Sequence, residues 1–129
     1  MTDTKTEIIP YLFYRDVGAA SDWLAGAFGF EEVLRTRGES GGTHVEMVLG
    51  GCRIMMGSGA ESWKMLSPAT LSAATQGVFV YIADVDAHFG RAKAAGAEIV
   101  QPLTDLPYGR SYTARDLDGH PWFFTTPPT

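Results

Sequence analysis

The second half of the sequence repeats the first. The segment YRDVGAASDWLAGAFGFEEV matches IADVDAHFGRAKAAGAEIV, and VLGGCRIMMGS matches RDLDGHPWFFTT. Asp16 aligns with Asp84 and Gly51 with Gly119, and both pairs are separated by 68 residues (84 − 16 and 119 − 51). Two separate matches at one offset indicate a duplicated unit of about half the chain. A site is then expected in the groove between the two copies.

Each copy carries the same order of predicted elements. An aromatic and β-branched strand over 8–14 precedes Asp16, which has the chemistry of a helix N-cap. Apolar residues at helical spacing follow over 17–28, and Gly29 ends the helix. Three strands come next, and the second copy repeats this order with Asp84 as its N-cap. The predicted strands are 8–14, 30–37, 43–49, 52–57, 77–82, 97–103, 110–115 and 121–126, and the predicted helices are 17–28 and 85–95.

The duplicated unit predicts an α+β fold with two βαβββ modules in a single domain over 1–129. The first module is expected over 7–58 and the second over 76–127, with 59–75 as a linker or lid. Neither module can bury its own sheet face, so the two are expected to form a curved mixed sheet. This half-barrel would enclose a groove and carry the helices on its outer face. Exposed sheet edges favour pairing with a second chain, and a homodimer is expected.

Charge and composition exclude several classes of partner. The formal net charge is −5, and no run of Lys or Arg forms a footprint for nucleic acid or an anionic membrane. Cys52 is the single cysteine, which excludes an internal disulfide and suits a reducing compartment. No signal-peptide pattern and no stretch of about 18 apolar residues is present. The sequence therefore predicts a cytoplasmic protein without nucleic-acid or membrane partners.

Three segments, in this order, resemble the vicinal oxygen chelate superfamily. They are the strand–DV–helix–FGFEEV segment, its second copy ADVDAHFGRAKAAGAEIV, and the closing segment PYGRSYTARDLDGHPWFFTTP. The superfamily includes glyoxalase I, extradiol dioxygenases, and fosfomycin- and bleomycin-resistance proteins. The resemblance covers 7–127 and implies paired βαβββ modules around a groove. In the enzymes of this family, one inward position on each of the first, fourth, fifth and eighth strands helps to hold a divalent metal.

The resemblance places those four positions on side chains that cannot hold a hard cation. Counting from the strand-end Asp and the turn Gly, they are Ile9, Met55, Gly77 and Phe123. A metal enzyme needs converging oxygen and nitrogen donors, and Met is only a soft donor. A shift of one residue would add only Gln76, a weak donor. We therefore expect no bound metal, no other cofactor, and neither glyoxalase nor dioxygenase chemistry, which favours a binding protein over an enzyme.

The groove is predicted to be aromatic. Strand alternation puts Tyr11 and Phe13 on the groove face of the first strand, and Phe79 and Tyr81 on that of the fifth. Such a cleft suits a flat or hydrophobic small molecule, held by stacking and oriented by a few hydrogen bonds. Trp63 could close over it from the linker. The predicted ligand-binding residues are Tyr11, Phe13, Met55, Trp63, Phe79, Tyr81, Arg110 and Phe123.

Polar residues outside the aromatic set have competing interpretations. His44 and Glu46 share one face of the third strand, where they could form an acid–base dyad, two metal ligands, or a solvated charge pair. The resemblance implies a structural role for His120 in the DGH turn and places the loop of Arg110 near the groove mouth. His88 is expected at the surface, among polar neighbours on its helix.

These observations favour a metal-free protein of the bleomycin-resistance type, which binds a small hydrophobic or aromatic molecule without turning it over. Three alternatives stay open. The first is a metal-independent isomerase or lyase that uses Tyr, His or Glu as acid–base groups, with His44 and Glu46 as its best dyad. The second is a metal-dependent lyase or dioxygenase with relocated ligands at His44, Glu46 and His120. The third is a sensor or interaction module without activity.

Overall fold

The computed structural model describes residues 5–38 and 42–129, and its elements follow the duplicated order. Helix α1 (Val17–Phe28) follows the first strand, and α3 (Val85–Ala94) follows the fifth. The linker holds a single 3-10 turn (Glu61–Trp63) and the short helix α2 (Pro68–Leu71). None of the helices in the described part of the chain has the length and apolar character that a bilayer crossing requires. The strands are β1 (Tyr11–Phe13), β2 (Glu31–Arg37), β3 (Thr43–Leu49), β4 (Cys52–Gly57), β5 (Val78–Tyr81), β6 (Glu98–Leu106), β7 (Gly109–Arg115) and β8 (Pro121–Thr126).

The strands pair in the same register in both modules. One four-stranded mixed sheet has the order β1-β4-β3-β2 and the other the order β5-β8-β7-β6. Tyr11 pairs with Met55 in the first sheet and Phe79 with Phe123 in the second, so both members of the pair shift by 68 residues (79 − 11 and 123 − 55). The predicted α+β class and the two βαβββ modules are confirmed. The mixed sheet of the prediction is present as two separate four-stranded sheets.

Equivalent residues begin and end the two long helices. The Asp16 carboxylate accepts a hydrogen bond from the Ala19 amide at 3.0 Å, and the Asp84 carboxylate accepts one from Ala87 at 3.0 Å. Each bond satisfies an amide that the first helical turn leaves without a partner. Gly29 follows α1 with φ 82°, and Gly96 follows α3 with φ 87°. Both values lie in the left-handed region, where glycine has no steric cost, and the predicted helix ends are therefore confirmed.

The helix-covered faces of the two sheets meet in one core around Phe28. This side chain is fully buried, and its ring lies 5.6 Å from the Trp122 ring and 4.8 Å from the Phe124 ring, both on β8. Phe30, immediately before β2, lies 5.4 Å from Trp122. Since Phe28 and Phe30 belong to the first module and their partners to β8, these contacts place the covered face of the second sheet against the first module. The opposite faces of both sheets therefore point away from this core.

A buried carboxylate joins the first strand to the DLDG turn. Asp116 accepts hydrogen bonds from the Tyr14 hydroxyl, from the Trp122 indole at 3.0 Å and from the His120 amide at 2.9 Å. Burial raises the pKa of Asp116, and the Tyr14 and Trp122 donors oppose that shift. Asp118 accepts from the Ser67 hydroxyl at 2.5 Å, which ties the linker to the same turn. The turn therefore holds together both modules and the linker.

His88 also bridges the modules, and the surface position predicted for it is wrong. Its Nε2 donates to the Phe28 carbonyl at 2.9 Å, and its Nδ1 accepts from the Tyr112 hydroxyl at 2.5 Å. The imidazole is half-buried and lies 4.0 Å from the Phe124 ring. Burial lowers the pKa of His88, and nearby Arg91 acts in the same direction. The sequence context of polar helix neighbours gave no sign of this contact, because the partners come from other elements.

Candidate functional site

A cleft of about 690 Å³ opens between β1 and β5 and is bounded by the linker. Three of the predicted ligand-binding residues line it, namely Tyr11, Phe13 and Phe79. Lys64 and Leu71 contribute from the linker. The structure thus brings together aromatic side chains from both modules, which a cleft for a flat organic molecule requires.

The aromatic side chains of the cleft are exposed rather than packed in the core. Tyr11 is 45% exposed and Phe79 is 47% exposed, whereas Phe13 is half-buried. Leu12 and Val80, which point to the other face of the same strands, pack against the core. Strand alternation therefore separates a core face from an aromatic open face, as the sequence predicted. Exposed aromatic surface of this kind marks interaction sites in monomeric proteins.

The other predicted ligand-binding residues do not line the cleft. Tyr81 and Phe123 lie on the open face of the second sheet and are 56% and 36% exposed, and Met55 is half-buried beside Tyr11. Trp63 is 73% exposed on the linker. Arg110 lies in a different concavity, where its guanidinium donates to two carboxylates. These are Asp86 at 2.8 Å and Asp105 at 3.0 Å.

The four positions that the resemblance assigns to a metal do not fit one. Ile9 and Met55 are apolar, and a Cβ on Gly77 would lie 2.7 Å from Cε2 of Phe123. The Phe123 ring thus occupies the space that a donor side chain at position 77 would need. Across residues 5–38 and 42–129, no three His, Cys, Asp or Glu side chains come together in a group that could hold a metal ion. The donor chemistry of these residues does not match a hard divalent cation.

His44 and Glu46 belong to a chain of polar contacts that starts at Tyr11. The Tyr11 hydroxyl lies 3.0 Å from His44 Nδ1, and His44 Nε2 lies 3.1 Å from Glu46 Oε2. Strand β4 separates β1 from β3, but Gly57 stands opposite His44 and has no side chain. A Cβ there would lie 2.6 Å from the Tyr11 hydroxyl oxygen. Glycine at position 57 therefore lets the Tyr11 ring reach across β4 to the imidazole.

Two further residues extend the polar chain along the same face. Arg53 lies 3.5 Å from Glu46 and donates to Glu7 at 2.8 Å. The hydrogen bond to Arg53 lowers the pKa of Glu7. Partial burial, with Glu46 nearby, raises the pKa of Tyr11 and keeps the phenol protonated. The sequence predicted the pairing of His44 with Glu46 but missed Tyr11, and the glycine opposite His44 is the signal that could have revealed it.

The alternative metal site at His44, Glu46 and His120 does not assemble, because His120 lies apart from the other two side chains. His120 Nε2 donates to the Phe13 carbonyl at 2.8 Å, and its ring packs edge-on against Tyr14 at 4.8 Å. These contacts fix the strand end beside the cleft.

A family model matches residues 7–124 of the chain, and its description is glyoxalase/bleomycin resistance protein/dioxygenase superfamily. An uncharacterized protein of Mycobacterium tuberculosis (strain ATCC 25618 / H37Rv) is 30% identical over 130 residues, which cover 97% of this chain and 76% of that protein.

Solved structures share the arrangement of both modules. TioX from Micromonospora sp. ML1 is 37% identical, with a TM-score of 0.73 over 96% of this chain and 98% of that chain. TnmS3, described as an antibiotic binding protein from Streptomyces sp. CB03234, is 19% identical, with a TM-score of 0.76 over 98% and 100%. The fosfomycin resistance protein FosX of Listeria monocytogenes is 20% identical, with a TM-score of 0.71 over 95% and 92%. At the lower two identities, the likeness concerns the fold.

Proposed function

The chain belongs to the glyoxalase/bleomycin resistance protein/dioxygenase superfamily, and from that membership we propose that it is a metal-free protein that sequesters a small aromatic molecule. The observation that carries this proposal is the cleft of about 690 Å³ between β1 and β5, with Tyr11, Phe13 and Phe79 on its walls. Its volume is typical of a site for a drug-sized ligand, and its aromatic lining favours a flat ring system.

The absence of metal chemistry is proposed from the side chains that stand where this superfamily's enzymes hold their ion. None of Ile9, Met55 and Gly77 offers an oxygen or nitrogen donor, and the Phe123 ring fills the space beside Gly77. An aromatic ring therefore stands where a donor side chain would be needed. Stacking can bind a ring system but cannot polarise a carbonyl or activate water, which supports binding without turnover.

The related structures support an antibiotic as the class of ligand. TnmS3 is described as antibiotic binding, and FosX as a fosfomycin resistance protein. The net charge of −5 is compatible with a basic antibiotic. We therefore propose aromatic, neutral or cationic antibiotics as the ligands to test first.

Removing the Phe79 ring is expected to weaken ligand binding by about 10- to 100-fold, since burial of such a ring contributes about 1.5–3 kcal/mol. The measurement is isothermal titration of bleomycin and of a panel of polycyclic aromatic antibiotics into wild-type and Phe79→Ala protein. Trp63→Ala is the control, because Trp63 lies outside the cleft. Dialysis against a chelator should leave the affinity unchanged. Wild-type protein that binds no panel member more tightly than about 1 mM, or that binds only with added metal, contradicts the proposal.

We also propose that the chain forms a homodimer through its open sheet faces. Phe79 and Tyr81 are 47% and 56% exposed on β5, which is an edge strand of the second sheet. Tyr11 is 45% exposed on β1, the edge strand of the first. A second copy of the chain would cover Tyr81 and the adjoining edge of β5, and would leave Tyr11 and Phe79 to the ligand.

Sedimentation velocity should give a mass of twice 14.0 kDa for the wild-type protein. Tyr81→Glu is expected to shift the equilibrium toward monomer, because it places a charge on the covered surface. Ala94→Glu adds the same charge at an exposed position of α3 and should leave the mass unchanged. A wild-type monomer at all concentrations rules out this interface.

A further inference from the structure

The cleft between β1 and β5 has a local charge opposite in sign to that of the whole chain. The sequence carries 15 Asp and Glu residues against 10 Lys and Arg residues. None of the carboxylates that the structure describes lines the cleft, and Lys64 is the one Lys or Arg residue in its described lining. The His120 imidazole also lies there, but its Nε2 donates to the Phe13 carbonyl at 2.8 Å. The electrostatic character of the cleft therefore depends on Lys64.

A closed turn of the linker holds Lys64 at the cleft. The Ala60 amide donates to the Met65 carbonyl at 2.9 Å, and the Met65 amide donates to the Ala60 carbonyl at 3.2 Å. Between them, the Lys64 amide donates to the Glu61 carbonyl at 2.9 Å. The backbone of Lys64 has φ 59°, in the left-handed region where a residue with a Cβ is uncommon. Such conformations persist only where the surrounding structure fixes them, and they cluster at ligand sites.

Among residues 5–38 and 42–129, no carboxylate lies within 4.0 Å of the Lys64 ammonium. By contrast, Arg35, Arg53 and Arg110 each pair with two carboxylates. Lys64 is exposed, and an ammonium offers three hydrogen-bond donors and no acceptor. These donors can therefore bind an acceptor in the cleft, and a negatively charged acceptor forms the strongest bond with them.

We infer that the molecule bound in this cleft carries an acidic group beside its aromatic ring system, and that Lys64 binds this group. The inference rests on the proposed function, since it concerns the ligand of the same cleft and narrows its chemistry. The ring system stacks against Tyr11, Phe13 and Phe79, while a carboxylate or similar anion at its edge accepts a hydrogen bond from Lys64. Such a ligand can be neutral or cationic overall, because a basic group elsewhere on it offsets the acidic one.

The test compares naphthoate with the matching naphthamide, which has the same ring system and nearly the same shape but no charge. Wild-type protein should bind naphthoate about 3- to 10-fold more tightly in NMR titrations at neutral pH, the value of one partly exposed charge-assisted hydrogen bond. Lys64→Met keeps an unbranched side chain without the charge and should abolish this preference. Lys64→Glu should reverse it. Raising the salt concentration to about 1 M should reduce it in the wild-type protein, because the group that binds the anion is exposed.

Lys93→Met is the matched control, since it removes the same charge from the chain. Lys93 lies on α3 outside the cleft, with its Nζ 5.8 Å from the centre of the Phe89 ring. This variant should keep the full preference for naphthoate. If it loses the preference to the same extent as Lys64→Met, the net charge of the chain and not Lys64 sets the preference, and the inference is wrong.

The outcomes separate the inference from the proposed function. Equal binding of naphthoate and naphthamide by the wild-type protein, or a preference that survives in Lys64→Met and Lys64→Glu, overturns the inference and leaves the proposed function standing. Failure of the wild-type protein to bind either naphthalene probe or any member of the antibiotic panel overturns both.

Discussion

Replacing Phe28 by alanine is expected to lower the free energy of unfolding by about 3–5 kcal/mol. The ring is fully buried and contacts Trp23 at 5.0 Å, Trp122 at 5.6 Å and Phe124 at 4.8 Å. Because these partners come from α1 and β8, the cavity would open where the two modules meet. Native cores relax only partly around such a loss, so the lost contacts are not regained. Urea unfolding followed by circular dichroism measures the change.

Phe79→Ala makes the same chemical change on the open face, where the ring is 47% exposed. It should lower the free energy of unfolding by less than about 1 kcal/mol, although it weakens ligand binding. A Phe28→Ala protein as stable as Phe79→Ala would show that the modules do not share a core. A common unfolding midpoint for probes in both modules is expected in the wild-type protein, since one core links them.

The second large effect is expected at Asp116, where Asp116→Ala should destabilise the protein by about 3–5 kcal/mol. The substitution removes the acceptor of the Tyr14 hydroxyl, the Trp122 indole and the His120 amide. A buried donor without a partner costs about 1–3 kcal/mol, and such costs add incompletely within one network. The measurement is again urea unfolding, with Asp105→Ala as the exposed control.

A double-mutant cycle identifies the cause of that loss. Tyr14→Phe removes one of the donors that Asp116→Ala leaves without an acceptor. The double variant should therefore lose less stability than the sum of the two single variants. Strict additivity would indicate that the Tyr14 hydroxyl and the Asp116 carboxylate do not interact. A loss below about 1 kcal/mol in Asp116→Ala would indicate that water satisfies the donors to this carboxylate equally well.

The duplicated pattern was sufficient to predict the modules because its helix-capping residues act on their own sequence neighbours. Asp16 and Asp84 bond to amides three residues away, and Gly29 adopts the one backbone conformation that its own lack of a Cβ favours. The alternation of side chains between the two faces of a sheet is a property of each strand by itself. Tyr11 on β1 and Phe79 on β5 therefore lie on the open faces, as predicted.

Contacts between elements could not be read from the sequence in the same way. His88 has polar helix neighbours, yet its partners Phe28 and Tyr112 are 60 and 24 residues away. Arg110 follows a loop that the resemblance places near the groove, but two carboxylates hold it in another concavity. These placements depend on how the sheets pack together, and a repeat of 68 residues carries no information on that packing.

The ring of Phe123 over Gly77 limits which side chains position 77 can accept. A chelating residue introduced at position 77 alone would collide with that ring, and a smaller residue at position 123 alone would open the space without supplying a ligand. A donor side chain at position 77 would therefore require paired substitutions, at 77 and at 123, rather than a change at one site.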